Sequence, residues 1–170
     1  FNAQTQSMEP GLKLPVVIHT RDRSAEKTPV EQAGDAQSAM QDTLDMLTVW
    51  KRDLERQASP LAHRPGVLHS FSGDLKTARY TADLGFRVGI TGPVTFKKAE
   101  TLHQVVTLLP IECLLIETDA PFLTPHPHRG ERNEPAHVRF VAEKIAQLRQ
   151  MNFETVVERT TENAQKLFLW

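Results

Sequence analysis

Cysteine is almost absent from this chain of 170 residues, which contains one, Cys113. An intramolecular disulfide is therefore excluded, and we expect a reducing compartment and a cytoplasmic protein. Because Cys113 lies in a segment predicted to be a buried strand, we expect it to be an inert packing residue.

Long hydrophobic runs and net charge are lacking as well. No apolar run approaches the roughly 18 residues that cross a bilayer, and no signal-peptide pattern opens the chain, so we expect no membrane partner. The formal net charge is −1, so contacts with phosphate would depend on local clusters of basic residues. A hydrophobic fraction of 39% is typical of a globular protein, and residues 1–170 are treated as one domain.

Four short apolar segments bounded by glycine and proline predict buried strands of a parallel sheet. They begin at Pro15, Gly66, Phe86 and Cys113. Apolar residues at helical spacing predict helices over about 38–57, 74–85 and 99–109, one from about 135, one over 153–159 and one from 161. This alternation predicts an α/β fold, either a small open sheet or half of an eight-stranded barrel. The polar stretch 23–37 is predicted to be a loop insertion.

Three of the strand segments end in side chains that bind metals. His19 ends the first, His69 ends the second, and Glu117 and Asp119 follow the last. Because the carboxyl ends of parallel strands meet at one edge of a sheet, we expect these side chains to lie close together. Imidazole and carboxylate suit Zn²⁺, Mn²⁺ or Mg²⁺, which lower the pKa of a bound water. We therefore predict a hydrolytic metal site with His19, His69 and Asp119 as ligands and Asp119 and Glu117 as catalytic carboxylates.

Each of these residues also has an ordinary structural interpretation. A histidine at the end of a strand is commonly a hydrogen-bonded core or loop residue. Glu117 could equally be a buried carboxylate paired with an arginine. The sequence leaves both alternatives open.

The loop from 125 to 135 is the other segment that points to function. His128, Arg129, Arg132 and Asn133 offer hydrogen-bond donors suited to phosphate oxygens, although an ordinary solvated loop has a similar composition. The pair Lys97-Lys98 is more typical of an exposed helix start. Nucleophilic catalysis is not indicated, because the serines near His69 lack a G-x-S-x-G pattern.

Four motifs together resemble the TatD family of metal-dependent deoxyribonucleases. They are PVVIHTRD at 15–22, HSFSG at 69–73, ETDAP at 117–121 and PHRGERNEP at 127–135, and they occur in the family's order. The segment TTENAQKLF at 160–168 is similar to the C-terminal helix of that family, so the resemblance extends almost end to end.

The resemblance implies an amidohydrolase-like TIM barrel, of the (β/α)₈ type, that holds one or two divalent metal ions (Mg, Mn or Zn). It implies a hydrolase that cleaves phosphodiester bonds of DNA with a water activated by metal. By motif, His19, His69 and Asp119 match metal ligands of the family. Residues that match positions along the site and substrate path are Glu117, Arg21, Ser72, His128, Arg129 and Asn133.

Two departures from the family pattern qualify this expectation. The segment between Arg23 and Asp42 is longer than in relatives, and neither the early His-x-His pair nor the Glu ligand of the fourth strand is present. The chain therefore resembles the C-terminal half of the barrel, strands five to eight, and we expect it to associate with the missing half or with itself. The alternatives are hydrolysis of another ester or amide, and an inactive remnant without the missing ligands.

Overall fold

The computed structural model describes residues 13–20 and 39–170, and all structural statements below concern those ranges. The predicted insertion at 23–37 and the predicted substrate residue Arg21 lie outside the described residues. The strands are β1 (Val16–His19), β2 (Gly66–His69), β3 (Arg87–Ile90) and β4 (Leu114–Ile116). The α-helices are α1 (Ala39–Arg56), α2 (Leu75–Asp83), α3 (Glu100–Leu108), α4 (Val138–Arg149) and α5 (Phe153–Phe168).

The four strands form one parallel sheet in the order β1-β2-β3-β4. Each neighbour in the sheet is also the next strand in sequence, with a helix between them, which confirms the predicted α/β alternation. The expected strand at Cys113 begins one residue later, because Ile111–Cys113 forms a 3₁₀ turn.

The main hydrophobic core lies between the sheet and helices α1 to α4, and Val156 near the start of α5 is part of it. Since successive side chains of a strand point to opposite faces, alternate residues such as Leu68, Val88, Ile90 and Leu114 face the helices, and these four are at most 1% exposed. The helices cover this face with the apolar stripes that their sequence spacing predicts. The helices therefore pack against this face of the sheet, and the residues at its carboxyl edge remain available for the predicted site.

Helix α5 is attached to the amino end of the sheet. Buried Asn163 donates from Nδ2 to the carbonyls of Ile111 at 2.8 Å and Leu114 at 2.9 Å, and Leu167 packs with Val67 and Leu115 on the face opposite the main core. These contacts of α5 therefore lie at the end of the sheet opposite the carboxyl edge, where the predicted site lies.

The prediction of two separate C-terminal helices is wrong, since α5 is continuous from Phe153 to Phe168. The hydroxyl of Thr160 donates to the carbonyl of Val156 at 2.8 Å, four residues back. This bond satisfies the side chain inside the helix, so the Thr-Thr pair does not act as a new N-cap.

Within the described ranges, β1 and β4 each have one sheet neighbour, and Val17 on β1 is 60% exposed. The expected association across these edges stays a prediction. None of the described helices is long and apolar enough to cross a membrane.

Candidate metal centre

His19 and His69 are brought together by the register of the sheet. They are the last residues of β1 and β2, and they are direct partners in the parallel pairing. Paired residues of adjacent strands project from the same face, and the two ring centroids are 5.6 Å apart. The two predicted imidazole ligands are therefore neighbours at the carboxyl edge.

Glu117 and Asp119, which follow β4, both reach the ring of His69. Nδ1 of His69 is hydrogen-bonded to Oε2 of Glu117, and Nε2 lies 3.2 Å from Oδ1 of Asp119. Both ring nitrogens of His69 therefore face carboxylate oxygens. Among the described residues the ionic partner of Glu117 is this histidine and not an arginine, which was the structural alternative.

Gly89 provides the space through which Glu117 reaches His69. Strand β3 lies between β2 and β4, and a Cβ built on Gly89 would stand 1.4 Å from Oε1 of Glu117. The carboxylate thus occupies the volume that a side chain at position 89 would fill. Sequence reasoning did not identify Gly89, although a glycine inside a strand often marks a close approach of other groups.

The two carboxylates favour positive charge on His69. Burial alone would lower the pKa of His69, but the hydrogen bonds and charges of Glu117 and Asp119 outweigh it, and the pKa is raised. Burial raises the pKa of Glu117, and the contact with His69 offsets that effect only in part. The arrangement attracts a cation, either the second proton of the imidazole or a metal ion.

The chemistry of these donors fits a divalent metal ion. Imidazole nitrogen and carboxylate oxygen are ligands of Zn²⁺ and Mn²⁺, and Oε1 of Glu117 is a buried oxygen without a hydrogen-bond partner. No set of three or more His, Cys, Asp or Glu in 13–20 and 39–170 is positioned to hold a metal. His69 instead bonds directly to the carboxylates of Glu117 and Asp119, and metal binding by these residues stays a prediction.

A cleft of about 370 Å³ opens beside these residues. Ser72, one of the predicted substrate residues, lines it together with His19 and Asp119. Two further lining residues have left-handed backbone conformations, Ser70 with φ of 48° and Leu123 with φ of 52°. Non-glycine residues held in this region tend to cluster at functional sites.

The other predicted substrate residues that the structure describes, His128, Arg129 and Asn133, lie in the loop before α4 and do not line this cleft. His128 stacks on His137 with centroids 4.7 Å apart, and the guanidinium of Arg129 lies 3.7 Å from the centroid of the Phe96 ring. Asn133 is 2% exposed, and its amide donates to the carbonyl of Phe122 at 2.6 Å and accepts from the N–H of Glu134 at 2.9 Å. These contacts shape the loop, and substrate binding by these residues stays a prediction.

Lys98 is a residue that sequence reasoning set aside as surface. Its segment follows the 3₁₀ turn Gly92–Thr95 after β3, and the side chain lines the same cleft as His19 and Asp119. Its neighbour Lys97 does not line the cleft. The sequence Lys97-Lys98 does not show which lysine lines the cleft. That becomes clear only from the strand order, which places this segment at the carboxyl edge of the sheet.

Comparison with known proteins identifies the same family that the sequence motifs resemble. A family model described as TatD related DNase matches residues 9–169. The uncharacterized metal-dependent hydrolase YabD of Bacillus subtilis is 41% identical over 157 residues, which are 92% of this chain and 52% of that protein. The uncharacterized metal-dependent hydrolase YcfH of Escherichia coli K12 is 39% identical over 92% of this chain and 50% of its own length.

Similarity to a solved structure extends this result to the fold. The crystal structure of YJJV, a TatD homologue from Escherichia coli K12, matches with a TM-score of 0.68 and 28% identity, over 93% of this chain and 51% of that one. The chain spans about half the length of the relatives it matches. Its four strand–helix units accordingly correspond to about half of the TIM barrel of the family.

Proposed function

The chain belongs to the TatD family of metal-dependent hydrolases, and on that basis we propose that it hydrolyses phosphodiester bonds of DNA. The observation that carries the proposal is the convergence of His69 and Asp119, whose facing atoms are 3.2 Å apart at the carboxyl edge of the sheet. Asp119 also lines a cleft, and exposed His19 lines the same cleft. Two imidazoles and an acidic group beside an accessible cleft are the parts that a hydrolytic metal site requires.

His19, His69 and Asp119 are the proposed metal ligands. A bound divalent ion would lower the pKa of a coordinated water and offset the negative charge of a phosphodiester. The remaining donors of the shell would come from outside the described residues. One or two ions are compatible with this proposal, and Mg²⁺, Mn²⁺ and Zn²⁺ are the ions to test.

Glu117 is proposed to fix the orientation and tautomer of His69. If Nδ1–H donates to Oε2 of Glu117, the lone pair of Nε2 points to the side of Asp119, where a cation is needed. A carboxylate that holds a ligand histidine in this way also increases the basicity of the ring. The buried Glu117 would thus act through His69.

Asp119 is proposed as the residue that accepts a proton from the attacking water. Its side chain is partly exposed to the cleft, with a side-chain relative accessibility of 26%. A carboxylate there can contact both a cation held by His69 and a water that approaches the substrate from the cleft. Ser72, which lines the same cleft, is proposed to donate a hydrogen bond to a phosphate oxygen.

The direct test is hydrolysis of a short single-stranded DNA in Mn²⁺, Mg²⁺ or Zn²⁺ and in EDTA. We expect activity that depends on the metal and falls about 100-fold or more in Asp119→Asn, as for loss of a general base. Glu158→Gln, which removes the same charge from an exposed position on α5, is the matched control and should be fully active.

A second substrate separates this proposal from its rivals. Hydrolysis of p-nitrophenyl acetate without hydrolysis of bis(p-nitrophenyl) phosphate would contradict the phosphodiesterase assignment and favour an esterase. Absence of both activities with every metal would favour an inactive remnant.

A further inference from the structure

The cleft next to the candidate metal centre is lined by residues from several segments. His19 and Asp119 line it, and so do residues that follow β3, among them Lys98 and Leu102. Its volume of about 370 Å³ is close to the lower end of the ~300–1,000 Å³ range of small-molecule sites. That size favours a single small unit of substrate over a length of double helix.

Lys98 is the one lysine or arginine among the described residues that line this cleft, which His19 also lines. It is exposed and makes no ion pair with any residue in the described ranges. Asp119 is the one carboxylate of the described lining, so a negatively charged group of a ligand would be attracted to Lys98 and repelled by Asp119. A lysine ammonium binds phosphate as a compact charge with several donors.

Much of the remaining lining of the cleft is apolar. Phe71 is 4% exposed and Leu102 is 9% exposed, so both form a fixed wall, whereas Leu123 is 39% exposed and reaches towards solvent. Hydroxyl groups of Ser70, Ser72 and Thr101 interrupt this surface. An apolar wall with a few hydroxyls suits the base and sugar of a nucleotide, and Lys98 supplies the charge that its phosphate needs.

We propose that this cleft binds one nucleotide unit of the substrate, with Lys98 on its phosphate and Leu102 and Leu123 against its base or sugar. The proposal rests on the function proposed above and makes it more specific, because it assigns a site for the nucleotide next to the bond that is cleaved. Lys98 is thereby a residue that determines specificity for phosphate-containing ligands.

The test measures binding in EDTA, without metal and without turnover. Thymidine 5′-monophosphate, thymidine and inorganic phosphate are titrated into the wild-type chain and its variants, and binding is followed by calorimetry or NMR. We expect Lys98→Gln to weaken binding of thymidine 5′-monophosphate about tenfold, the loss of one charge-assisted contact. Thymidine should bind that variant as it binds the wild type.

Lys97→Gln is the matched control, since it removes the same charge from the neighbouring residue outside the cleft. It should change the affinity for thymidine 5′-monophosphate less than about twofold, as expected for an exposed charge without direct contact. Leu123→Ala should weaken binding of both the nucleotide and thymidine. Equal effects of the two lysine variants, or no binding of the nucleotide by the wild type, would overturn the proposal.

The outcome is separable from that of the proposed function. Nucleotide binding that depends on Lys98, in a chain without phosphodiesterase activity, would support the subsite and contradict the function. Phosphodiesterase activity that is equal in wild type, Lys97→Gln and Lys98→Gln would support the function and overturn the subsite.

Discussion

Glu117 contacts the ring of His69 across an intervening strand, and the absence of a side chain at position 89 gives it the space to do so. The contact joins the end of β4 to the end of β2. It also leaves one carboxylate oxygen buried without a partner. An unpartnered buried oxygen is costly unless it meets a donor or a cation, so the packing of the sheet holds a carboxylate beside the ring of His69 at some cost in free energy.

Gly89→Ala should disturb the site with little effect on the fold. The added methyl group would displace the Glu117 carboxylate, while the backbone oxygen of Leu68, at 3.1 Å, requires only a small shift. Loss of a carboxylate partner of a ligand histidine typically lowers metal affinity about 10- to 100-fold, and we expect the lower end here. Titration with Mn²⁺ measures the affinity, and circular dichroism checks the fold.

Adding Gly89→Ala to a Glu117→Ala variant tests whether position 89 acts through the Glu117 carboxylate. In Glu117→Ala the carboxylate is already absent, so adding Gly89→Ala should produce no further loss of affinity. Additive losses in the double variant would show that position 89 acts in some other way.

Asn163→Ala should destabilise the chain strongly, although it lies at the end of the sheet opposite the site. Its amide donates to the carbonyl of Ile111, which precedes β4, and to the carbonyl of Leu114, the first residue of β4. Asn163 itself is 3% exposed. Leaving buried carbonyls unpaired costs about 1–3 kcal/mol each, so urea denaturation should show a loss of at least about 2 kcal/mol. Asn152→Ala serves as control, since Asn152 makes no side-chain cap bond and its loss should have little effect.

Asp74 caps α2, and its contribution to stability should depend on pH. Its Oδ1 accepts from the N–H of Thr77 at 2.8 Å, and chiefly this backbone hydrogen bond lowers the pKa of Asp74. Asp74→Ala should cost about 1 kcal/mol at neutral pH. A carboxylate with a lowered pKa stabilises the fold above its unfolded pKa of about 3.9, and this stabilisation is lost as the pH falls through the folded pKa.

Urea denaturation of wild type and Asp74→Ala at neutral and acid pH measures this difference. Asp83→Ala removes an exposed carboxylate from the last residue of the same helix, where the helix dipole disfavours it. That variant should be neutral or slightly stabilised. A difference for Asp74→Ala that does not shrink in acid would contradict the assigned role of the cap.

Arg129→Gln should affect phosphodiester substrates more than stability. Its guanidinium lies over the Phe96 ring, and an exposed contact of this kind contributes about 0.5–1 kcal/mol. If Arg129 binds phosphate, KM for single-stranded DNA should rise about tenfold, the loss of roughly 1.4 kcal/mol. Hydrolysis of a neutral ester is the comparison, and an equal loss on both substrates would remove Arg129 from phosphate recognition.

Much of the site follows from sequence because strand ends are easily located. His19, His69 and Asp119 each follow an apolar segment, and parallel pairing collects such ends at one edge. The structure places His69 and Asp119 in contact and pairs His19 with His69, as that rule predicts. The helices differ from their predicted bounds mainly at their ends, where capping geometry decides.

The features that escaped prediction depend on neighbours in space. The role of Gly89 requires knowing that β3 lies between β2 and β4, and Lys98 is significant only because its segment borders the same cleft as Asp119. The side chain of Asn133 is of a type that binds phosphate, yet its amide is hydrogen-bonded to Phe122 and Glu134 within the loop. The break predicted between residues 159 and 161 is wrong for a similar reason, because the hydroxyl of Thr160 bonds to a carbonyl within the continuous helix.

The most direct measurement is a titration of the chain with Mn²⁺, followed by electron paramagnetic resonance, for wild type, His69→Gln, Asp119→Asn and Glu158→Gln. We expect wild type and Glu158→Gln to bind Mn²⁺ alike, and His69→Gln and Asp119→Asn each to bind it at least about tenfold more weakly. Equal affinity in all four proteins would contradict the assignment of the metal centre to the carboxyl edge of the sheet.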